Sequence, residues 1–427
     1  MIIKKKIVVI GGGFAGLQFI RHLDSKKFEV LLIDKINHHQ FQPLFYQVAT
    51  AQIDPSSISF PFRKIFQKNR NVQIRMEEVI YINSDHKEII TDKNIHSYDS
   101  LVIASGCTTN FFGINGAEEN AFTLKSSAEA LRIRNCFIKN FENIISAGEA
   151  AMEQQYNIVI VGAGPTGVEL AGAFAEMKRN ILPKDYPGLE IQKIKIMMVE
   201  GKEFPLSNMS PKAQNASLKY LRKLGIVLYM NSFVKDFKND LITLSDGQEI
   251  KSSYVIWTGG VKGNIIDGLS NAEIDRSNRI RVGCRHNICG YHDIYAIGDI
   301  ALMRTENYPN GHPQVANVAV TQAKNLARIF NSDIDHVYLY KDLGSLATIG
   351  KFKAVADLPF IKLKGFFAWF FWMFLHLMLI LSVKNKLIIF INWVWSFFSN
   401  DSSLRLILND REPKTETAIR YSRSHRY

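Results

Sequence analysis

The sequence predicts an α/β fold: two doubly wound parallel-sheet units, one inserted into the other, followed by an apolar C-terminal region. Three observations carry this expectation. The segment IVVIGGGFAGLQFI from Ile7 recurs as IVIVGAGPTGVELA from Ile158. Two further strand-then-glycine turns, DSLVIASGC (Asp99 to Cys107) and DIYAIGD (Asp293 to Asp299), are places where the chain would return to the first sheet. Between Gly365 and Phe398 the residues are almost all apolar, apart from the turn carrying Lys384 and Lys386.

The chain has 427 residues, enough for two to three domains. With 47% hydrophobic and 22% charged residues it reads as an ordered globular protein, not a disordered chain or a disulfide-stapled miniprotein. The net charge is +12, and residues 360–427 hold ten Lys/Arg against four Asp/Glu, so half of the excess sits at one end. Such an excess suits an anionic surface. No helix-turn-helix or RNA-binding motif accompanies it, so nucleic acid is not expected. Four cysteines fit a reducing compartment. The apolar run before the first glycines lasts only four residues, too short for an export signal, and a motif opening at Gly11 leaves no room for a transit peptide.

In the first unit a β-branched run from Ile7 predicts a strand buried on both faces. Gly11, Gly13 and Gly16 follow in G-x-G-x-x-G spacing and a helix comes next. The first glycine permits the tight turn, the second lets backbone approach a pyrophosphate, and the third lets helix pack on strand. The helix N-terminus then offers unpaired N–H groups to phosphate. A second strand, FEVLLID, ends at Asp34. The second unit repeats the pattern with Gly162, Gly164 and Gly167, and its second strand ends at Glu200 after an insertion around NILPKDYPGLEI. An acid at this point accepts hydrogen bonds from a ribose 2′-OH and repels a 2′-phosphate. Glu200 therefore favours NADH over NADPH, while Lys202 works against it. Either acid also has the plain reading of a solvated strand end.

On these residues the chain resembles the two-dinucleotide flavoprotein reductases, and more closely the type II NADH:quinone oxidoreductases. IYAIGD resembles their flavin motif, Ala104–Gly106 their A-T-G turn with serine for threonine, FQPLFYQVATAQID (Phe41 to Asp54) their stretch beside flavin and quinone, and IWTGG (Ile256 to Gly260) the return from the NADH domain. The resemblance implies FAD held by residues 1–112 and 257–340, through Gly11, Gly13, Gly16, Asp34, Val79, Ala104, Gly106, Gly298, Asp299 and Ala316. It implies NADH held by an inserted domain, 113–256, through Gly162, Gly164, Gly167, Glu200 and Gly260, and a membrane-anchoring region over 341–427. Hydride would pass from NADH to FAD, and two electrons on to a membrane quinone, without proton pumping. The quinone would meet Pro43, Leu44, Tyr46, Asn317, Val320 and Thr321. One departure stands out: the family's A-Q-x-A-x-Q-Q reads ANVAVTQ here, with Asn317 and Thr321 in place of glutamines. A ferredoxin- or rubredoxin-type reductase, or a redox-sensing NADH-binding protein, is the alternative.

Hydride transfer needs orientation and water exclusion more than acids or bases, but a quinol also needs protons. Glu169, in the first turn of the second glycine-loop helix, is the candidate relay, because the resemblance puts it near the flavin; its other reading is a structural acid favoured by the helix dipole. Cys284 and Cys289 have the spacing of a redox pair, but they precede IYAIGD and are read as ordinary cysteines. The lack of paired cysteines near the flavin segment argues against a sulfide:quinone reductase. No histidine cluster has metal-ligand spacing, so no metal is expected.

Nineteen residues, Gly365 to Val383, run without a charge, about the least that spans a membrane. Leu387 to Phe398 follows as an amphipathic helix, with Asn385, Asn392, Ser396 and Ser399 on one stripe and Trp393 and Trp395 suited to a headgroup interface. Lysines flank both ends of the first segment, so charge cannot orient a span. Peripheral, monotopic attachment to the cytoplasmic face is expected, helped by a basic tail of Arg405, Arg411, Lys414, Arg420, Arg423 and Arg426. A homodimer formed through the same apolar surface is compatible with it. Removal of the chain from Lys362 onward is expected to spare FAD binding and NADH oxidation if the rest still folds, and to abolish turnover with a long-tailed quinone.

Overall fold

A computed structural model of the chain describes residues 4–147, 157–332, 334, 336–399 and 404–407. The first segment contributes β1 (Lys5–Ile10), α1 (Phe14–His22), β2 (Phe28–Asp34), α2 (Phe45–Ala49), β3 (Val72–Met76), β4 (Ser100–Ile103) and β5 (Cys107–Thr109). The inserted segment contributes β6 (Ile158–Val161), α3 (Pro165–Asn180), β7 (Ile196–Glu200), β8 (Val227–Met230) and β9 (Tyr254–Trp257). After it come β10 (Val261–Gly263), β11 (Ile294–Ala296) and α4 (Ala316–Ser332). The C-terminal region holds β12 (Ser345–Thr348), β13 (Ala354–Asp357), β14 (Lys362–Lys364), α5 (Phe366–Leu379) and α6 (Val383–Ser399).

Both expected sheets are present. The first has the order β11-β4-β1-β2-β3 and the second β8-β7-β6-β9, parallel throughout. Their central strands, with Ile7 to Val9 and Ile158 to Ile160 all but inaccessible, are covered on both faces, which is why they read as unbroken β-branched runs. The chain passes between the units twice, along β5 and back along β10, and these crossings pair antiparallel from Cys107↔Gly263 to Thr109↔Val261.

The C-terminal strands form an antiparallel meander that packs on α3 and α5. The nineteen-residue apolar segment is not one helix. α5 stops at Leu379, the chain turns so that Ile380 is buried in the core, and α6 folds back against α5. Burial of Ile380 outweighs the continuous apolar pattern. Fourteen residues of α5 rise about 21 Å, short of the roughly 30 Å hydrocarbon core. Among the described residues no helix is long and apolar enough to cross a membrane.

Each helix of this pair turns its apolar face outward. Phe367 and Phe398 are 75% and 78% exposed, and Phe370, Leu387, Ile391 and Trp395 are exposed beside them. The polar stripe of α6 faces the protein, where Asn385 Nδ2 donates to the Ser57 carbonyl at 2.8 Å. Trp393, expected at a headgroup interface, is instead buried, and its Nε1–H donates to Gln47 Oε1 at 2.9 Å. Arg405 pairs with Asp185. The tail residues Arg411, Lys414, Arg420, Arg423 and Arg426 lie outside the described residues.

Candidate functional site

The two glycine loops repeat each other atom for atom in the bonds that hold them. Gly11 and Gly162 turn at φ of +95° and +98°, which L side chains rarely adopt. A Cβ on Gly16 or Gly167 would collide with the carbonyl of Gly11 or Gly162, whereas one on Gly13 or Gly164 would meet nothing. That open side is what a pyrophosphate needs. Neither α1 nor α3 has a side-chain N-cap or an acid in its first turn, so each presents bare N–H groups to an anion. The residues present therefore fit two dinucleotides.

The two strand-end acids fasten these loops. Asp34 accepts from the Gly12 and Ile36 amides at 2.7 and 3.0 Å, and Glu200 from the Ala163 and Lys202 amides at 2.7 and 3.0 Å. Burial pushes the Asp34 pKa up, against the two amide bonds that lower it. His39, buried and held to about pKa 4 by burial, donates Nδ1–H to the Gly12 carbonyl at 3.0 Å. Nothing in the sequence singled it out, because its partner lies 27 residues earlier.

Two cavities flank the first loop. The smaller, about 150 Å³, is lined by Gly11, Asp34 and Val79. The larger, about 390 Å³, lies between the two units and is lined by Gly13, Ala104, Gly106, Gly298, Asp299 and Ala316 from one side and Thr166, Glu169, Thr258 and Gly260 from the other. Pro43, Tyr46, Lys125 and His376 complete this cleft. Cys107 Sγ–H donates to Asp299 Oδ2 at 3.0 Å, and burial, then Asp299, pushes the thiol up to about 12. It is no nucleophile there.

A third cavity of about 100 Å³ opens beneath the C-terminal helix pair. Its walls come from α2 (Tyr46, Gln47), from α3 (Glu169, Ala173, Glu176), from the meander (Thr348, Lys351) and from the helix pair (Trp372, Trp393). Tyr46 and Glu169 line both this cavity and the cleft.

Glu169 lies one turn further into its helix than expected and is buried, so the macrodipole reading of a solvated first-turn acid does not describe it. Its Oε1 accepts from Trp372 Nε1–H at 3.1 Å and from the Thr348 amide at 3.4 Å. Burial raises its pKa to about 8 despite those bonds. Trp372 stacks on His376 with centroids 4.0 Å apart, and burial holds His376 neutral with a pKa of about 4.

Not every expected residue reaches a cavity. Leu44 packs into the core, the Asn317 amide donates to the Lys341 carbonyl at 3.1 Å, and Thr321 bonds Tyr338 at 2.8 Å. Val320 is likewise absent from the lining. The reason is helical phase: Ala316 and Ala319 of α4 face the cleft, and 317, 320 and 321 point elsewhere.

Residues 5–323 match the pyridine nucleotide-disulphide oxidoreductase family, and residues 343–400 match the NDH2 C-terminal domain. The chain is 30% identical to the type II NADH:quinone oxidoreductase Ndh of Mycobacterium tuberculosis, over 97% of this chain and 93% of that one. This chain belongs to the type II NADH:quinone oxidoreductases. As an oxidoreductase of this family it is an FAD-dependent NADH dehydrogenase acting on quinone. Its fold matches NDH2 of Plasmodium falciparum, solved in complex with NADH, with a TM-score of 0.88 at 22% identity, covering 95% of this chain and all of that one. The sulfide:quinone oxidoreductase of Aquifex aeolicus has the same fold, with a TM-score of 0.71 at 19% identity over 92% and 95% of the chains. Fold alone does not separate the two activities. Cys107, Cys284 and Cys289 of this oxidoreductase are free thiols.

Proposed function

We propose that this oxidoreductase oxidises NADH in the cleft between its two units and reduces quinone in the cavity beneath the α5–α6 pair, which lies in one leaflet of a membrane. The observation that carries this reading is the common wall: Tyr46 and Glu169 belong to both spaces. When bound, FAD would supply the acceptor for hydride from NADH and the source of two electrons for quinone. Gly11, Gly13, Gly16, Asp34, Val79, Ala104, Gly106, Gly298, Asp299 and Ala316 would hold it; Gly162, Gly164, Gly167, Glu200 and Gly260 would hold NADH. Glu200 and Asp34 keep the loops in their binding shape before any nucleotide arrives. Buried apolar walls exclude water from the transfer.

A long-tailed quinone stays in the bilayer, so its route must open where protein meets lipid. The exposed Phe and Leu side chains of α5 and α6 supply that contact, with Lys362, Lys364 and Lys384 at the edges for anionic headgroups. The NADH supply and the free thiols favour the cytoplasmic face. Glu169, protonated near neutral pH and open to the cavity, gives a proton to the quinone oxygen as it is reduced.

In stopped-flow measurements, Glu169→Gln should slow reoxidation of the reduced enzyme by a short-chain quinone by about 10²-fold or more. Reduction of bound FAD by NADH should fall far less. Wild-type reoxidation rates at every pH would remove Glu169 from the route.

A further inference from the structure

The reaction consumes protons from water. NADH, quinone and one proton give NAD⁺ and quinol, so each turnover draws one proton from bulk solvent to a site walled by Trp372, Trp393 and Tyr46. Glu169 is buried and cannot recharge itself directly from solvent. A second acid on the same helix lines the same cavity.

Glu176 follows Glu169 by seven residues on α3, two turns and roughly 10 Å along one helix face. Ala173 lies between them on the cavity wall and is too small to block it. The cavity, at about 100 Å³, has room for several water molecules. Glu169 is buried, but Glu176 is only partly so, which puts the second acid toward the mouth. Its Oε1 accepts from the Lys351 amide, and the positive charges of Arg179, Lys351 and Lys353 face it. The Tyr46 phenol lines the same cavity, and the charges of both acids raise its pKa.

We propose that Glu176 is the entry station of the proton route: it takes a proton from solvent at the cavity mouth and passes it, through cavity water and the Tyr46 hydroxyl, to the carboxylate that Glu169 becomes on protonating quinone. Each turnover then moves one proton from water to Glu176, one from Glu176 to Glu169 and one from Glu169 to a quinone oxygen; the second hydrogen of the quinol is the one NADH gives up as hydride, and no other reactant is needed. This rests on the reading that quinone is reduced beside Glu169. Burial raises the Glu176 pKa above its ordinary 4.5, against the Lys351 amide and the nearby cations that lower it.

The test uses full-length enzyme in vesicles, with Glu176→Gln, Glu176→Asp and Glu169→Gln side by side. FAD content and FAD reduction by NADH report folding. Glu176→Gln should slow quinone-driven reoxidation at least about tenfold, with a larger solvent deuterium effect, less than the roughly 10²- to 10⁴-fold loss of a general acid removed outright. Glu176→Asp should restore most of the rate, and so should formate or azide added to Glu176→Gln, because a small weak acid replaces the missing proton carrier. A slow Glu176→Gln that neither the aspartate variant nor weak acid rescues overturns the relay in favour of a purely structural carboxylate. Wild-type behaviour of Glu176→Gln beside a slow Glu169→Gln overturns the relay and leaves the quinone site standing. Wild-type behaviour of both overturns the two readings together.

Discussion

Glu169 ionises near 4.5 in an unfolded chain and near 8 in the folded one. Between those values the native state keeps a proton that the unfolded chain has released, so native stability is lost as pH rises through this window and is constant above it. Glutamine carries no charge to desolvate. The melting temperature of Glu169→Gln should therefore gain on that of the native enzyme from about pH 4.5 to about pH 8, and a gap independent of pH would contradict the raised pKa. The glycines and strand-end acids around the site were legible in sequence, because they hold set places in a strand-turn-helix-strand pattern that occurs twice. The partners of Glu169 were not: Trp372 is 203 residues away, and only tertiary packing brings its indole to the carboxyl. The same holds for Gln47 and Trp393, 346 residues apart.

At the scale of elements, the helix pair has two faces with separate duties. Its inner residues Trp372, Ile380, Ile389 and Trp393 are part of the main core. Deleting the chain from Lys362 onward would expose that core, so the condition set on that deletion, that the rest still folds, is the part the structure bears on. Substitution on the outer face separates the two duties. Phe367→Asp with Phe370→Asp should leave the melting temperature in detergent within about 2 °C, as expected for exposed positions, and should release the enzyme from vesicles in a flotation assay. Retention on vesicles would mean that another surface holds the membrane. The sequence revealed the apolar content of this region and its polar stripe, but not which way either faced. Periodicity reports that a helix has two sides; it does not say which side is water, protein or lipid.

For the whole molecule, on the proposed reading, the duplicated loop sets the choice of nucleotide in each unit. Both oxygens of Glu200 accept backbone amides, and a carboxylate at this strand end repels a 2′-phosphate. Glu200→Gln should narrow the NADH preference, read as the ratio of kcat/KM for NADH to that for NADPH, by about tenfold, the equivalent of about 1.4 kcal/mol. An unchanged ratio would assign the discrimination to other residues. The paired crossings β5 and β10 bear on how such a two-unit enzyme moves. Two loose tethers would let the inserted unit swing like a door. Two strands zipped side by side act as a hasp: they resist shear and splaying and leave twist about their shared axis as the compliant direction. The width of the slot between the units is then a property of the frame and not of a closing stroke, so nucleotide docks into a gauge already cut to size.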